Sequence, residues 1–131
     1  MKTEDMERVV EAYLAAYNAF DVDSMAALLA PDVTFRNVSE GQVTHETIGL
    51  PAFRALAEQG AAMFSERRQD LIELAFETGG NAEELAAIIE FRGVLAAGGQ
   101  TGALPGGVMQ LTGRSKFSFR EGKIASITDL S

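Results

Sequence analysis

Few side chains in this chain are able to do chemistry. No cysteine is present, which excludes thiolate nucleophiles, disulfides and cysteine-ligated zinc or iron–sulfur centres. His45 is the single histidine; it lies in a polar stretch and reads as exposed or structural, although imidazole titrates near neutrality. The carboxylates do not gather at helical or strand spacing, so no metal site is expected. That leaves proton transfer and hydrogen bonding by oxygen and amide groups. Tyr13 lies on an apolar helical stripe, where a phenol packs with its hydroxyl at a cavity edge. Asn37 follows Val33 and Phe35 at alternate positions, and an amide on a buried strand face must find partners in the protein or in a ligand. Asp129 shares one strand parity with Ala125 and Ile127, while Ile124, Thr128 and Leu130 share the other. Both faces then carry apolar residues, so alternation alone does not say which way Asp129 points. Arg67-Arg68 reads as the solvated start of a strand, and Arg92 and Arg114 fall on the parity opposite to the packed residues.

The elements that must position these groups follow from hydrophobic period. Met6, Val9, Val10, Tyr13, Leu14, Tyr17 and Phe20 recur at three- and four-residue steps and predict an amphipathic helix. Asp21 to Ser24 supply capping side chains for a second, shorter helix ending near Ala30. Val33, Phe35 and Asn37 make a brief strand. Ser39 to Thr47 is polar and unperiodic and is expected to be a loop or a frayed edge. Pro51 opens a third helix, running to about Ser65 with Phe53, Leu56, Ala57, Gly60, Met63 and Phe64 on its packed face. Leu71 to Phe76 and Leu85 to Phe91 flank the turn signal Gly79-Gly80-Asn81 and predict a hairpin. Ala96 to Gly107 is glycine-rich without the strand-to-helix context of a phosphate loop, and is expected to be a mobile connection that covers a pocket. Met109 to Phe119 alternates again, and Glu121-Gly122 turns it into a final strand.

The order is helix, helix, strand, helix, then four strands. It predicts an α+β domain spanning residues 1–131, with three helices packed on one face of a strongly curved antiparallel sheet that forms a conical barrel. The chain has 131 residues, 47% of them hydrophobic, so one core is expected. Its formal charge of −8 repels phosphate backbones and anionic lipid, which argues against nucleic-acid and membrane partners. An acidic N-terminus unlike a signal peptide leads to the expectation of a cytoplasmic protein.

The stretch from Arg8 to Phe35, RVVEAYLAAYNAFDVDSMAALLAPDVTF, resembles the start of the nuclear transport factor 2-like (cystatin-like) superfamily, particularly ketosteroid isomerases and SnoaL-like polyketide cyclases. The stretch from Phe117 to Asp129, FSFREGKIASITD, resembles the same family's last hairpin. Ketosteroid isomerases use an Asp base, a Tyr and a protonated Asp. By resemblance the Tyr position falls on Tyr13, but the base position holds Asn37 and the proton-donor position holds Ser115. An amide is no base at neutral pH and a serine hydroxyl is a weak acid, so authentic steroid isomerisation is not expected. SnoaL-like cyclases carry their acid/base Asp on the last strand, where this chain has Asp129.

The resemblance therefore implies a pocket for a small hydrophobic carbonyl compound, with Asp129 as general acid/base and Tyr13 and Asn37 orienting the oxygen. Tyr17, Phe20, Phe35, Phe53, Phe64 and Phe117 are the expected aromatic lining, joined by Ile89, Ser115 and Ile127. The reaction would be of isomerase or cyclase type, and no cofactor is expected. A competing reading is a non-catalytic ligand-binding domain that has lost the isomerase carboxylates. An epoxide hydrolase would need an Asp–Arg–Asp set, of which only Asp129 has a place. The family's habit of pairing through the outer sheet face implies a homodimer.

Overall fold

A computed structural model describes residues 2–76, 84–96 and 106–131. The expected Gly79-Gly80-Asn81 turn, the Phe76 side chain and the glycine-rich run through Pro105 lie outside the described residues. The elements run α1 (Thr3–Asn18), α2 (Val22–Ala27), β1 (Leu29–Ser39), β2 (Gln42–Ile48), α3 (Leu50–Met63), β3 (Phe64–Phe76), β4 (Glu84–Leu95), β5 (Val108–Arg120) and β6 (Lys123–Leu130).

Local chemistry sets the boundaries. Asp21 caps α2, its carboxylate accepting from the Ser24 backbone N–H at 3.1 Å. Gly49, at φ +89°, precedes α3, and Pro51 sits in that helix's first turn, where its missing N–H is no loss. β5 turns into β6 through Glu121 and Gly122, both at positive φ, the backbone that a two-residue hairpin requires.

The strands form one sheet in the order β2-β1-β6-β5-β4-β3. This is the α+β architecture expected, with a curved sheet, but it differs from the sequence reading in three ways. The sheet is open, with β2 and β3 as its two edges, and does not close into a barrel. It is mixed, because the first and last strands are neighbours within it and run parallel, Asn37 beside Asp129. It also has a regular seven-residue edge strand, β2, where a loop or a frayed edge is expected. None of β2 is buried, so no hydrophobic alternation marks it; it is held to β1 by backbone pairing from Thr34 with Ile48 to Ser39 with Gln42. β1 and β3 are likewise longer than their apolar runs.

The core lies between α1, α2, α3 and the concave face. Val10, Val33, Leu85, Phe117, Ile124 and Ile127 are its most deeply buried side chains. Both Ile124 and Ile127 point inward, although their spacing is odd, because β5/β6 pairing steps from Ser118 with Ser126 to Phe119 with Ile124. The extra residue, Ala125, is a bulge, and past it the parity of Ile127 and Asp129 is the inward one.

Candidate functional site

Towards the far end of β6 the packing stops and two adjoining cavities open. The inner lobe, about 180 Å³, lies between α1, α3 and the sheet and is lined by Tyr13, Met25, Phe35, Phe53, Arg67 and Phe117 among others. The outer lobe, about 400 Å³, lies toward the β3–β5 side and is lined by Asn37, Phe64, Ile89, Phe91, Leu111 and Arg114 among others. Tyr17, Gln69, Ser115 and Asp129 line both lobes and so form the boundary between them.

Asp129 is half-buried, and Ser115 donates its Oγ proton to Oδ1 at 2.6 Å. Register explains the meeting: Ser115 and Asp129 are directly paired across β5 and β6, so both side chains leave the sheet on the same face. Burial disfavours the carboxylate more than the Ser115 hydrogen bond favours it, and its pKa rises from 3.8 to about 6.

Tyr13 is buried, its ring edge-to-face with Phe117 at 6.1 Å between centroids. Burial, and secondarily the Asp129 charge, raise the pKa of its hydroxyl, so it stays protonated and able to donate. Burial raises Tyr17 as well, opposed by the nearby Arg67 charge.

Arg67 is among the residues that sequence reasoning missed. Its side chain is not in solvent: it is 7% exposed and lines the inner lobe. Nε donates to the Tyr17 carbonyl at 2.9 Å, and the guanidinium carbon stands 3.8 Å from the Tyr17 ring centroid and 4.6 Å from that of Phe20. Its Nη2 is buried with no hydrogen-bond partner. A signal for this was present. Arg67 and Gln69 share the parity of Leu71, so recognising that β3 starts at Phe64 turns Arg67 inward and Arg68 outward. Gln69, also missed, is fixed by a reciprocal pair with Asn18: its backbone N–H donates to Oδ1 at 2.7 Å and its carbonyl accepts from Nδ2 at 3.1 Å.

The SnoaL-like domain profile matches residues 10–127, nearly the whole chain. The chain belongs to the SnoaL-like family. No curated protein matches it. Among solved structures it is similar to a protein from Xanthomonas campestris pv. campestris proposed to be a polyketide cyclase, at 24% identity and TM-score 0.76 over 98% of this chain and 90% of that one. It is similar to the epoxide hydrolase/cyclase-like enzyme SalBIII of salinomycin pyran-ring formation, at 16% identity and TM-score 0.78 over 97% and 90%. A protein from Catenulispora acidiphila with a ketosteroid isomerase-like fold, solved with trimethylamine, matches at 16% identity and TM-score 0.71 over 92% and 82%. At these identities the likeness concerns the fold.

Within the SnoaL-like frame the expected site residues fall into three groups. Asp129, Tyr17 and Ser115 stand at the boundary, Tyr13, Phe35, Phe53 and Phe117 in the inner lobe, and Asn37, Phe64 and Ile89 in the outer one. Phe20 and Ile127 line neither lobe. Phe20 follows the end of α1 at φ +58°, which swings its ring beneath Arg67, and Ile127 is core, 2% exposed. Tyr13 and Asn37 do not share a lobe, and the Asn37 amide is already committed, donating to Thr44 Oγ1 at 2.7 Å. His45 is exposed on β2, outside both lobes. Among the described residues no cluster of three or more His, Asp or Glu side chains has the makings of a metal site, and no helix is long and apolar enough to cross a membrane.

Proposed function

We propose that this SnoaL-like protein catalyses acid/base chemistry of the isomerase or cyclase type on a small, mostly apolar carbonyl compound. The observation that carries the reading is Asp129: an ionisable carboxyl raised to about 6, held by Ser115 at the boundary of two lobes lined by aromatic and polar side chains. At neutral pH most of it is ionised, yet it is a stronger base than a solvated aspartate. Its carboxylate takes a proton from the carbon beside the substrate carbonyl, and the C–H electron pair moves into an enolate. Tyr13, kept protonated by burial, donates to the enolate oxygen. Protonated Asp129 then returns its proton, either to another carbon of the same π system or to the alkoxide left when the enolate carbon closes a ring. Ser115 holds the carboxylate through Oδ1, so Oδ2 carries the proton. Asn37 belongs to the outer part of the same site and contacts the distal end of the substrate.

The test is exchange of the α-hydrogens of steroid, aromatic polyketide-like and terpenoid ketones in heavy water, read by mass spectrometry. Exchange is expected for at least one compound, and Asp129→Asn is expected to slow it by roughly 10²–10⁴-fold. Exchange unaffected by that substitution overturns the assignment.

A binding domain without catalysis is favoured by Asn37 and Ser115 standing where isomerases carry acids; tight binding of such ketones with no exchange would establish it. Assembly belongs to the same proposal. Two copies pair through the outer face of the sheet, where Ile48 is 72% exposed, giving a dimer mass in light scattering.

A further inference from the structure

Arg67 has no role in the chemistry above, yet its side chain is buried, at 7% exposure. A buried guanidinium gives up hydration and ordinarily recovers it from a carboxylate. Among the described residues Arg67 makes no ion pair. Asp129 does not neutralise it: Ser115 is the bonded partner of that carboxylate, and burial rather than a neighbouring cation dominates its titration. Nε is spent on the Tyr17 carbonyl, and Tyr17 and Phe20 clamp the guanidinium plane by their ring faces, so the group is oriented without being satisfied. Nη2 remains a buried donor with no acceptor, in a residue that lines the inner lobe. Helix α3 gives way at this point: a Cβ on Gly60 would stand 4.0 Å from Nη1, and Gly60 lines the same lobe. Of the other polar groups lining the lobe, the Tyr17 hydroxyl is hydrogen-bonded to Arg67 and Gln69, Ser115 is committed to Asp129, and the Tyr13 hydroxyl stays protonated and able to donate. A buried guanidinium whose Nη2 is uncommitted, on the wall of a cavity, is complementary to an anionic oxygen.

We propose that Arg67 is an anion-binding residue of the inner lobe, and that the compound this site accepts bears a carboxylate that docks on the Nη edge of Arg67. Within the proposed function the preferred substrate then carries a carboxylate beside its ketone: the carboxylate sits at Arg67, the reacting carbon at the Asp129 boundary, and the apolar remainder extends into the outer lobe toward Phe64 and Phe91. The proposal rests on the pocket being the ligand site, but not on Asp129 being catalytic.

Cinnamate and cinnamamide, alike in shape and different in charge, are the probes. Calorimetric titration at about pH 7.5, where the acid is ionised, is expected to show cinnamate binding roughly tenfold or more tightly than the amide. Arg67→Gln is expected to bring the two within about twofold and Arg67→Lys to keep part of the preference. Because truncating a buried Arg can unfold the domain, the wild-type protein supplies a second reading: the Arg67 Nε–H NMR signal shifts with cinnamate and stays in place with cinnamamide. Equal affinity for the two probes, binding of neither, or a preference that survives Arg67→Gln overturns the proposal. Loss of exchange in Asp129→Asn beside an absent carboxylate preference would reject the Arg67 assignment alone, whereas a preserved preference with no exchange would reject only the catalytic reading.

Discussion

The two ends of β6 lie in opposite surroundings. At its start Ile124 is fully buried in the hydrophobic core with Phe119, Leu29, Val33 and Val10. Near its end Asp129 faces two cavities, with Ser115 as its hydrogen-bond partner and a cationic, partly unsatisfied Arg67 on the wall of one of them. The same contrast runs along α1: Met6, Val10 and Leu14 pack solidly, while Tyr13 and Tyr17 border the cavities. One end of the molecule fills its interior with hydrocarbon. The other leaves space and places ionisable groups around it, an arrangement unfavourable for stability and useful for handling a ligand.

The sharpest way to break this contrast is to damage the packed end. Ile124→Ala leaves a cavity in a site with no room to relax and is expected to lower unfolding free energy by about 2–5 kcal/mol in chemical denaturation, with ligand binding per folded molecule unchanged. A loss well under 1 kcal/mol would show that the packed end is looser than described.

At the other end the expected effect is smaller and opposite in sign. Folding raises the Asp129 pKa from 3.8 to about 6, so the folded state holds that proton more tightly than the unfolded state does. The contribution to stability is full below about pH 4 and is lost as pH rises through about 6. Asp129→Asn removes the dependence, so relative to wild type the variant should gain on the order of 2–3 kcal/mol between about pH 4 and about pH 8. A difference that stays flat with pH contradicts a buried, desolvated carboxyl.

The smallest effect sharpens the boundary between the regions. A Cβ on Gly60 would meet Arg67 only at ordinary contact distance, and alanine is the better helix former. Gly60→Ala is expected to stabilise α3 by up to about 1 kcal/mol while narrowing the inner lobe. A measurable loss of stability would mean that α3 cannot hold the added methyl.

The packed end was the more legible in sequence, and for the same reason that it is packed. Apolar residues repeating at helical or strand period announce buried faces, and α1, α3, β4 and β5 follow that period closely. Polar segments send no such signal. β2 escaped notice because its stability comes from backbone pairing, although Glu40-Gly41 is the same dipeptide as Glu121-Gly122 and takes the same pair of positive φ values. Asp129 was ambiguous by parity because the bulge at Ala125 resets the alternation, and a bulge is a matter of register between two strands. Arg67 was misread because a charged pair ordinarily lies in solvent. Its burial depends on Tyr17 and Phe20, which reach it only once the end of α1 is laid against β3.

Asp129, as a desolvated carboxyl inside the pocket, is the group on which the proposed chemistry depends. The most direct measurement is an NMR titration of its side-chain carboxyl carbon in the wild-type protein. A midpoint near 6 is the predicted result. A midpoint at the solvated value near 3.8 would contradict it and remove the acid/base group on which the proposed function depends.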